Sequence, residues 1–265
     1  MENNPSIIHV DKDSRNASKT STPPKDIFTS TSQKKKYITI AGIESDTSYL
    51  EYQWPLFAEK ELNDNADDFF KVYYSNATAD ERKISTKVTI DTLTKQPVNI
   101  LRIEVRNSNV NNYQVFPNLS GIFDYNSWGS TKRYQHKMTA SALGDFLKRI
   151  LGMGYASWTN INGYSTQEDS FEDKQWDEPV ILRFNRKEYR AFIVITNGDI
   201  KPTRIEGPAT ITKNIGTDTE VEVALPLPAS WNNDYKALLN HLEWYHRIWK
   251  LVKRNTEIGF AREVI

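Results

Sequence analysis

The run Glu61-Leu62-Asn63-Asp64-Asn65-Ala66-Asp67-Asp68 crowds carboxylates and amides into a helical window that would rather carry Ala or Leu. Glu61 and Asn65 are four residues apart, so on a helix they project from one face, one turn from each other. A carboxylate there can take a proton from water. The amide oxygen beside it is a hard, neutral ligand for a magnesium ion that also holds phosphate oxygens. The same residues also read as a solvated acidic helix face. Three further stretches could carry chemistry. Ile103-Glu104-Val105-Arg106-Asn107-Ser108-Asn109 is an apolar strand running into a polar turn, which either delivers a side chain to a pocket or simply ends the strand. Ser141-Ala142-Leu143-Gly144-Asp145 opens a helix with small residues. Its backbone N–H groups and dipole favour an anion, unless Thr139 or Ser141 only caps the helix. Gly216-Thr217-Asp218-Thr219 is a turn entering an alternating strand that ends at Leu225-Pro226, and it reads equally as a plain edge or hairpin strand.

The elements that must position these residues follow from periodicity. Residues 1–36 are rich in Ser, Thr, Asn, Lys and Pro and cannot bury enough apolar surface to offset their ordering entropy. They are expected to form a flexible arm, either a solvated tail or a strap that orders on a partner subunit. A short strand is predicted over 37–42. A helix is predicted over 53–74, with Leu62, Ala66, Phe69 and Tyr73 on one face and Pro55 in the first turn, where its missing N–H costs nothing. Two alternating strands follow, Ile84/Thr86/Val88/Ile90 and Leu101/Ile103/Val105. Residues 108–138 read as a long functional loop, 140–152 as an amphipathic helix, and 159–178 as polar loop. Strands are predicted over 180–185, 188–197, 203–213 and 219–225, with turns at Asn185-Arg186 and Asn197-Gly198. A last helix over about 233–254 carries Leu238, Leu242, Tyr245, Trp249 and Val252 on one stripe. Helices on one face of a mixed, mostly antiparallel sheet make an α+β two-layer sandwich.

In this order, the four stretches resemble the GHKL (Bergerat-fold) ATP-binding superfamily. Lys60–Asp68 looks like the family's N-box, Val105–Asn109 stands where it carries an Asp-x-Gly-x-Gly turn, Phe123–Arg133 looks like the start of the ATP lid, Ser141–Gly144 matches the phosphate turn, and Gly216-Thr217 with Leu225-Pro226 looks like the last motif. The resemblance spans residues 37–228, the expected ATP-binding domain, with 1–36 as an N-terminal arm and 229–265 as a C-terminal helix that begins a transducer-like or further region. It implies ATP and Mg2+ as cofactors. Glu61 would be the general base that activates water, and Asn65 would hold the metal. The backbone from Ser141 through Leu143 to Gly144 would cradle phosphates, and Ser130 and Lys132 would contact them from the lid. Thr217 would sit near the adenine. Asn107 replaces the family aspartate that accepts from the adenine amino group, so it accepts without charge assistance. Asn109 and Asn111 replace glycines, and Ser141 replaces the first glycine of the phosphate turn. Glu61 points to the hydrolytic branch, and the spacing and lid loop look most like topoisomerase VI B-type or MORC-type ATPase domains. That branch implies a nucleotide-driven homodimeric clamp with a partner protein or further domain, serving a DNA-related process; the alternatives are nucleotide binding without hydrolysis and a non-nucleotide interaction domain.

Composition narrows the classes. The chain has 265 residues, 38% of them hydrophobic, with seven tryptophans, enough for a sizeable core. Lys+Arg and Asp+Glu are both 34, which argues against bulk electrostatic binding of nucleic acid. The absence of cysteine excludes disulfides, thiolate-ligated metals and thiol nucleophiles. None of the four histidines, His9, His136, His241 and His246, has metal-ligand spacing. No apolar run is long enough for a membrane span, and the N-terminus lacks signal-peptide features, so a cytoplasmic location is expected. The basic helix end, His246-Arg247, Lys250 and Lys253-Arg254, is either a solvated turn or a contact with DNA or a partner.

Overall fold

The computed structural model describes residues 38–39, 53–73, 75–94, 98–109, 152, 154, 174–184, 186–196, 199–211, 213–253 and 255–265. Along the chain these form β1 (Ile38–Thr39), α1 (Trp54–Tyr73), a 3-10 turn (Ala79–Glu81), β2 (Lys83–Asp91), β3 (Ile100–Asn107), β4 (Lys174–Phe184), β5 (Lys187–Thr196), β6 (Asp199–Thr210), β7 (Thr219–Pro226), the short α2 (Ala229–Asn232), α3 (Tyr235–Val252) and β8 (Glu257–Val264). The strands form one eight-stranded sheet in the order β1-β6-β5-β4-β7-β3-β2-β8. Every neighbouring pair is antiparallel except β2 and β8. The protein is therefore a mixed α/β structure built on a mixed sheet.

Alternation decides which face of the sheet is dry. In register, Ile84 pairs Asn107, Thr86 pairs Val105, Val88 pairs Ile103 and Ile90 pairs Leu101. The row continues into β7 as Thr219, Val221, Val223 and Leu225. Successive residues of a strand point to opposite faces, so these side chains share one face. Helix α1 lays Ala58, Leu62, Ala66 and Phe69 into the core they share, and α3 adds Leu238, Leu242 and Trp249. Each fully buried Leu, Ile or Phe contributes about 1.5–3 kcal/mol by leaving water. The other face carries ion pairs instead. Arg102 forks onto Glu178 at 2.9 and 3.0 Å, Arg106 meets Asp218 at 2.8 Å, and Arg183 meets Glu188, Glu220 and Glu222.

Local chemistry sets several boundaries. Pro55 occupies the first turn of α1, where no N–H is needed. The β4–β5 connection turns at Arg186, which takes φ 60°, and Gly216 takes φ 59° in the turn before β7. β4 starts at Lys174, so residues 174–178 are strand rather than the predicted loop. Their pairing with 193–195 of β5 overrides their polar composition, and a bulge between Trp176 and Val180 accommodates Pro179. Val252, predicted on the buried stripe of α3, is 69% exposed: at this helix end it is Trp249 and Lys253 that turn to α1, with Nε1 on Asp64 and Nζ on Asp67. The chain also continues into a strand that the periodicity reading lacks: β8 runs parallel to β2 from Lys83↔Glu257 to Ile90↔Val264. Residues 1–36 and all but Gly152 of the helix predicted over 140–152 lie outside the described residues. Among the described residues, no helix is long and apolar enough to cross a membrane.

Candidate functional site

At roughly 100° per residue, helix α1 has two polar flanks on opposite sides of its apolar stripe. Glu59, Asn63 and Asp67 fall on one side of the apolar stripe, and Glu61, Asn65 and Asp68 on the other. Partners from α3 and β2 consume the first flank. His246 Nδ1 lies 3.1 Å from Glu59 Oε1. Thr86 donates its hydroxyl to Asn63 Oδ1 at 2.6 Å, and Asn63 donates to Glu59 Oε1 at 3.4 Å. Lys253 Nζ lies 2.6 Å from Asp67 Oδ2, and Trp249 Nε1 donates to Asp64 Oδ1 at 3.1 Å. Burial pushes the Asp67 carboxyl up, but the Lys253 and Lys71 ammonium groups outweigh it and hold it below the usual aspartate range. The reading of His246 and Lys253 as part of a solvated or DNA-facing basic end is thereby corrected: His246 is buried and Lys253 is committed to α1.

On the second flank, lysines of α1 itself pair with the carboxylates. Lys60 Nζ lies 3.0 Å from Glu61 Oε1 and 2.9 Å from Asp64 Oδ2. Its ammonium is dehydrated, yet those two carboxylates raise its affinity for the proton. Lys71 donates to Asp68 Oδ1 at 2.8 Å. Glu61 and Asp68 are buried and Asn65 is half-buried. The spacing of four and then three residues puts Glu61, Asn65 and Asp68 in one row along the helix.

Two contacts set the position of this row along the strands. A Cβ added to Gly154 would lie 3.4 Å from Trp54 Cη2 and 3.0 Å from Leu225 Cδ2, so the start of α1 sits over the end of β7. Asn63 meets Thr86, whose row runs through Val105 to Val221. α1 therefore runs from the Leu225 end of β7 toward the Thr86 row, and its later residues, Asn65 and Asp68, continue in the direction of the Asn107–Thr219 end of that face.

That end of the sheet carries the other described candidates. Asn107 is buried on the same face as α1 and donates Nδ2 to the Ser108 carbonyl at 3.3 Å. Thr217 donates its hydroxyl to the Asn109 carbonyl at 3.5 Å, which joins the last motif to the end of β3. Arg106 clamps the same turn, with Nε 2.8 Å from Asp218 Oδ2 and Nη2 3.1 Å from the Ile215 carbonyl. Gly216 meets nothing within 4 Å of an added Cβ, so its need is for the left-handed φ alone. The structure thus brings Asn107, Asn109 and Thr217 together at the end of the sheet face on which α1 packs. Ser130, Lys132, Ser141, Leu143 and Gly144 lie outside the described residues. Sequence reasoning missed the Arg106 clamp, which only the pairing of β3 with β7 creates.

A second oxygen cluster, Glu104, Glu220 and Glu222, has ligand atoms within 4.8 Å of one another. It lies on the sheet face away from α1. Its charge is already answered: Arg183 Nη1 lies 2.6 and 2.7 Å from Glu220 and Glu222, and Lys213 Nζ lies 2.6 and 2.9 Å from Glu104 and Glu220. These cations take the place a metal would need, so this cluster is part of the sheet's own ion-pair lattice. No protein-family model matches the chain, and no curated protein matches it.

Proposed function

We propose that the chain is an ATP-binding and ATP-hydrolysing module of the GHKL type. The observation that carries the reading is that α1, which carries Asn65 and Asp68, packs on the sheet face that holds Asn107 at the end of β3, next to the Thr217 turn held to Asn109. A nucleotide lying between them would meet acceptors at one end and oxygen ligands at the other. Asn107 offers an amide oxygen to the adenine amino group, and the Thr217 hydroxyl borders the same edge. Asn65, with Asp68 one turn on, supplies the hard oxygen donors that suit Mg2+. When bound, the metal would neutralise phosphate charge. Glu61, one turn before Asn65, is the group to accept the proton of an attacking water. Lys60 holds that carboxylate in place and releases it as the phosphates compete for the ammonium. The lid, the N-terminal arm and nucleotide-driven dimerisation in a DNA-related process belong to the same proposal.

A second reading, nucleotide binding without turnover, draws on the Lys60–Glu61 ion pair and on an amide at position 107. Magnesium-dependent ATP turnover of the wild type beside Glu61→Ala separates the two. Loss of a general base lowers turnover by about 10²–10⁴-fold. Binding by calorimetry without turnover in the wild type selects the second reading, and absence of ATP binding removes both.

A further inference from the structure

We propose that Glu59 and His246 form a proton-linked latch that holds α3 and β8 against α1. The pair sits where four elements meet. Glu59 and Asn63 come from α1, His246 from α3, Thr86 from β2 and Phe260 from β8. Both groups are sealed from solvent, at 0% and 3% exposure. The His246 ring stands 4.7 Å from the Phe260 ring and 5.9 Å from that of Trp249. Only one atom of each group is used in their contact. Glu59 Oε2 and His246 Nε2 are buried without a hydrogen-bond partner among the described residues.

That half-satisfied geometry distinguishes the protonation states. An ionised pair would leave a carboxylate oxygen and an imidazolium N–H unanswered in a dry site, which is costly for charged groups. One shared proton makes both groups neutral, with a Glu59 O–H donating to His246 Nδ1, and leaves only neutral atoms unanswered. Removing that proton strands a buried carboxylate. Burial pushes the Glu59 carboxyl up, and the His246 and Asn63 contacts that pull it down do not cancel this. The surroundings do not supply a replacement charge. On α1, Asp64 and Asp67 are taken by Lys253, and Lys60 by Asp64 and Glu61. On α3, Tyr245 is held protonated, by burial first and then by Asp64, Glu59 and Glu61. On β8, Arg262 is turned to Glu243 and Asn240. β2 presents Thr86 between the apolar Ile84 and Val88.

A group raised in the folded state stabilises fully below its unfolded value, and that stabilisation is lost as pH rises toward its folded value. Relative to a residue at position 59 that cannot ionise, the Glu59 carboxyl's contribution to the latch therefore weakens from the ordinary glutamate range upward, independently of any nucleotide. Glu59→Gln donates to the same ring nitrogen and cannot ionise. The test is denaturant unfolding of wild type and Glu59→Gln across a pH series. The expected result is a folding-constant ratio, wild type over variant, that falls by up to about tenfold per pH unit as pH rises. Parallel profiles overturn the proposal. Infrared spectroscopy of the wild type gives a second readout that needs no variant to fold. A buried protonated-carboxyl band that titrates away with rising pH supports the latch, and its absence at the acid end of the series overturns it.

Discussion

Arg183 Nη1 stands 2.6 Å from Glu220 Oε1, and Glu220 is completely buried on the sheet face that α1 does not cover. The same guanidinium reaches Glu188 with Nε at 2.6 Å and Glu222 at 2.7 Å. One planar fork thus bridges carboxylates from β5 and β7, with Arg190 and Lys213 adding positive charge at Glu188 and Glu220. Removing one side of such a buried arrangement leaves uncompensated charge, which costs about 3–5 kcal/mol. Arg183→Met is expected to lower stability by that amount. Arg183→Lys should recover only part of it, because an ammonium is a point charge and cannot fork. Denaturant midpoints of the two variants check both statements.

Gly207 and Gly216 both take positive φ, at 118° and 59°, but for different reasons. A Cβ on Gly207 would lie 2.6 Å from the Glu188 carbonyl oxygen and 3.1 Å from Tyr189 Cα, both backbone atoms that cannot step aside. Gly216 faces open space. Gly216→Ala is expected to lose about 1–2 kcal/mol from conformation alone. Gly207→Ala should lose more than that and loosen the β5–β6 pairing, which hydrogen exchange along both strands would register.

Asp67 predicts the acid limb of stability. Its carboxyl is lowered by Lys253 and Lys71 despite burial, so it binds its proton less readily folded than unfolded. The stabilisation is complete above the unfolded aspartate value and is lost as pH falls through the lower folded value. Asp67→Asn should therefore be less stable than wild type at neutral pH and converge on it in acid. Thermal unfolding at matched pH values tests the convergence.

The nucleotide reading makes residue-specific predictions. Asn107→Ala removes one neutral hydrogen bond and should weaken ATP binding by about 1 kcal/mol, roughly fivefold, with or without magnesium. Asn65→Ala should weaken binding only when magnesium is present. Calorimetric titration in both conditions distinguishes an adenine contact from a metal contact, and equal losses in both would sink the assignment of Asn65.

The sequence alone was enough to locate α1, because a repeat of four and three residues in Leu62, Ala66 and Phe69 is local information. The same holds for β2 and β3, whose alternating Ile84, Thr86, Val88 and Ile90 and Leu101, Ile103 and Val105 are all buried; in β7 burial does not alternate, because Arg183 and Lys213 bury Glu220 on the opposite face. The strand β8 escaped because its partner lies far away in the chain: Ile258 and Phe260 gain their meaning only beside Ile84 and Thr86. The polar crowd in α1 was visible, but its division was not. Glu59, Asp64 and Asp67 look no different in composition from Glu61 and Asp68. Tertiary docking decided among them. Helix α3 brought His246, Trp249 and Lys253 onto one flank and used those groups for folding. On the opposite flank, Glu61 and Asp68 pair with Lys60 and Lys71 of the same helix. Periodicity assigns a residue to a face of its own helix, whereas the partner of that face is set by contacts between distant segments, which no local pattern encodes.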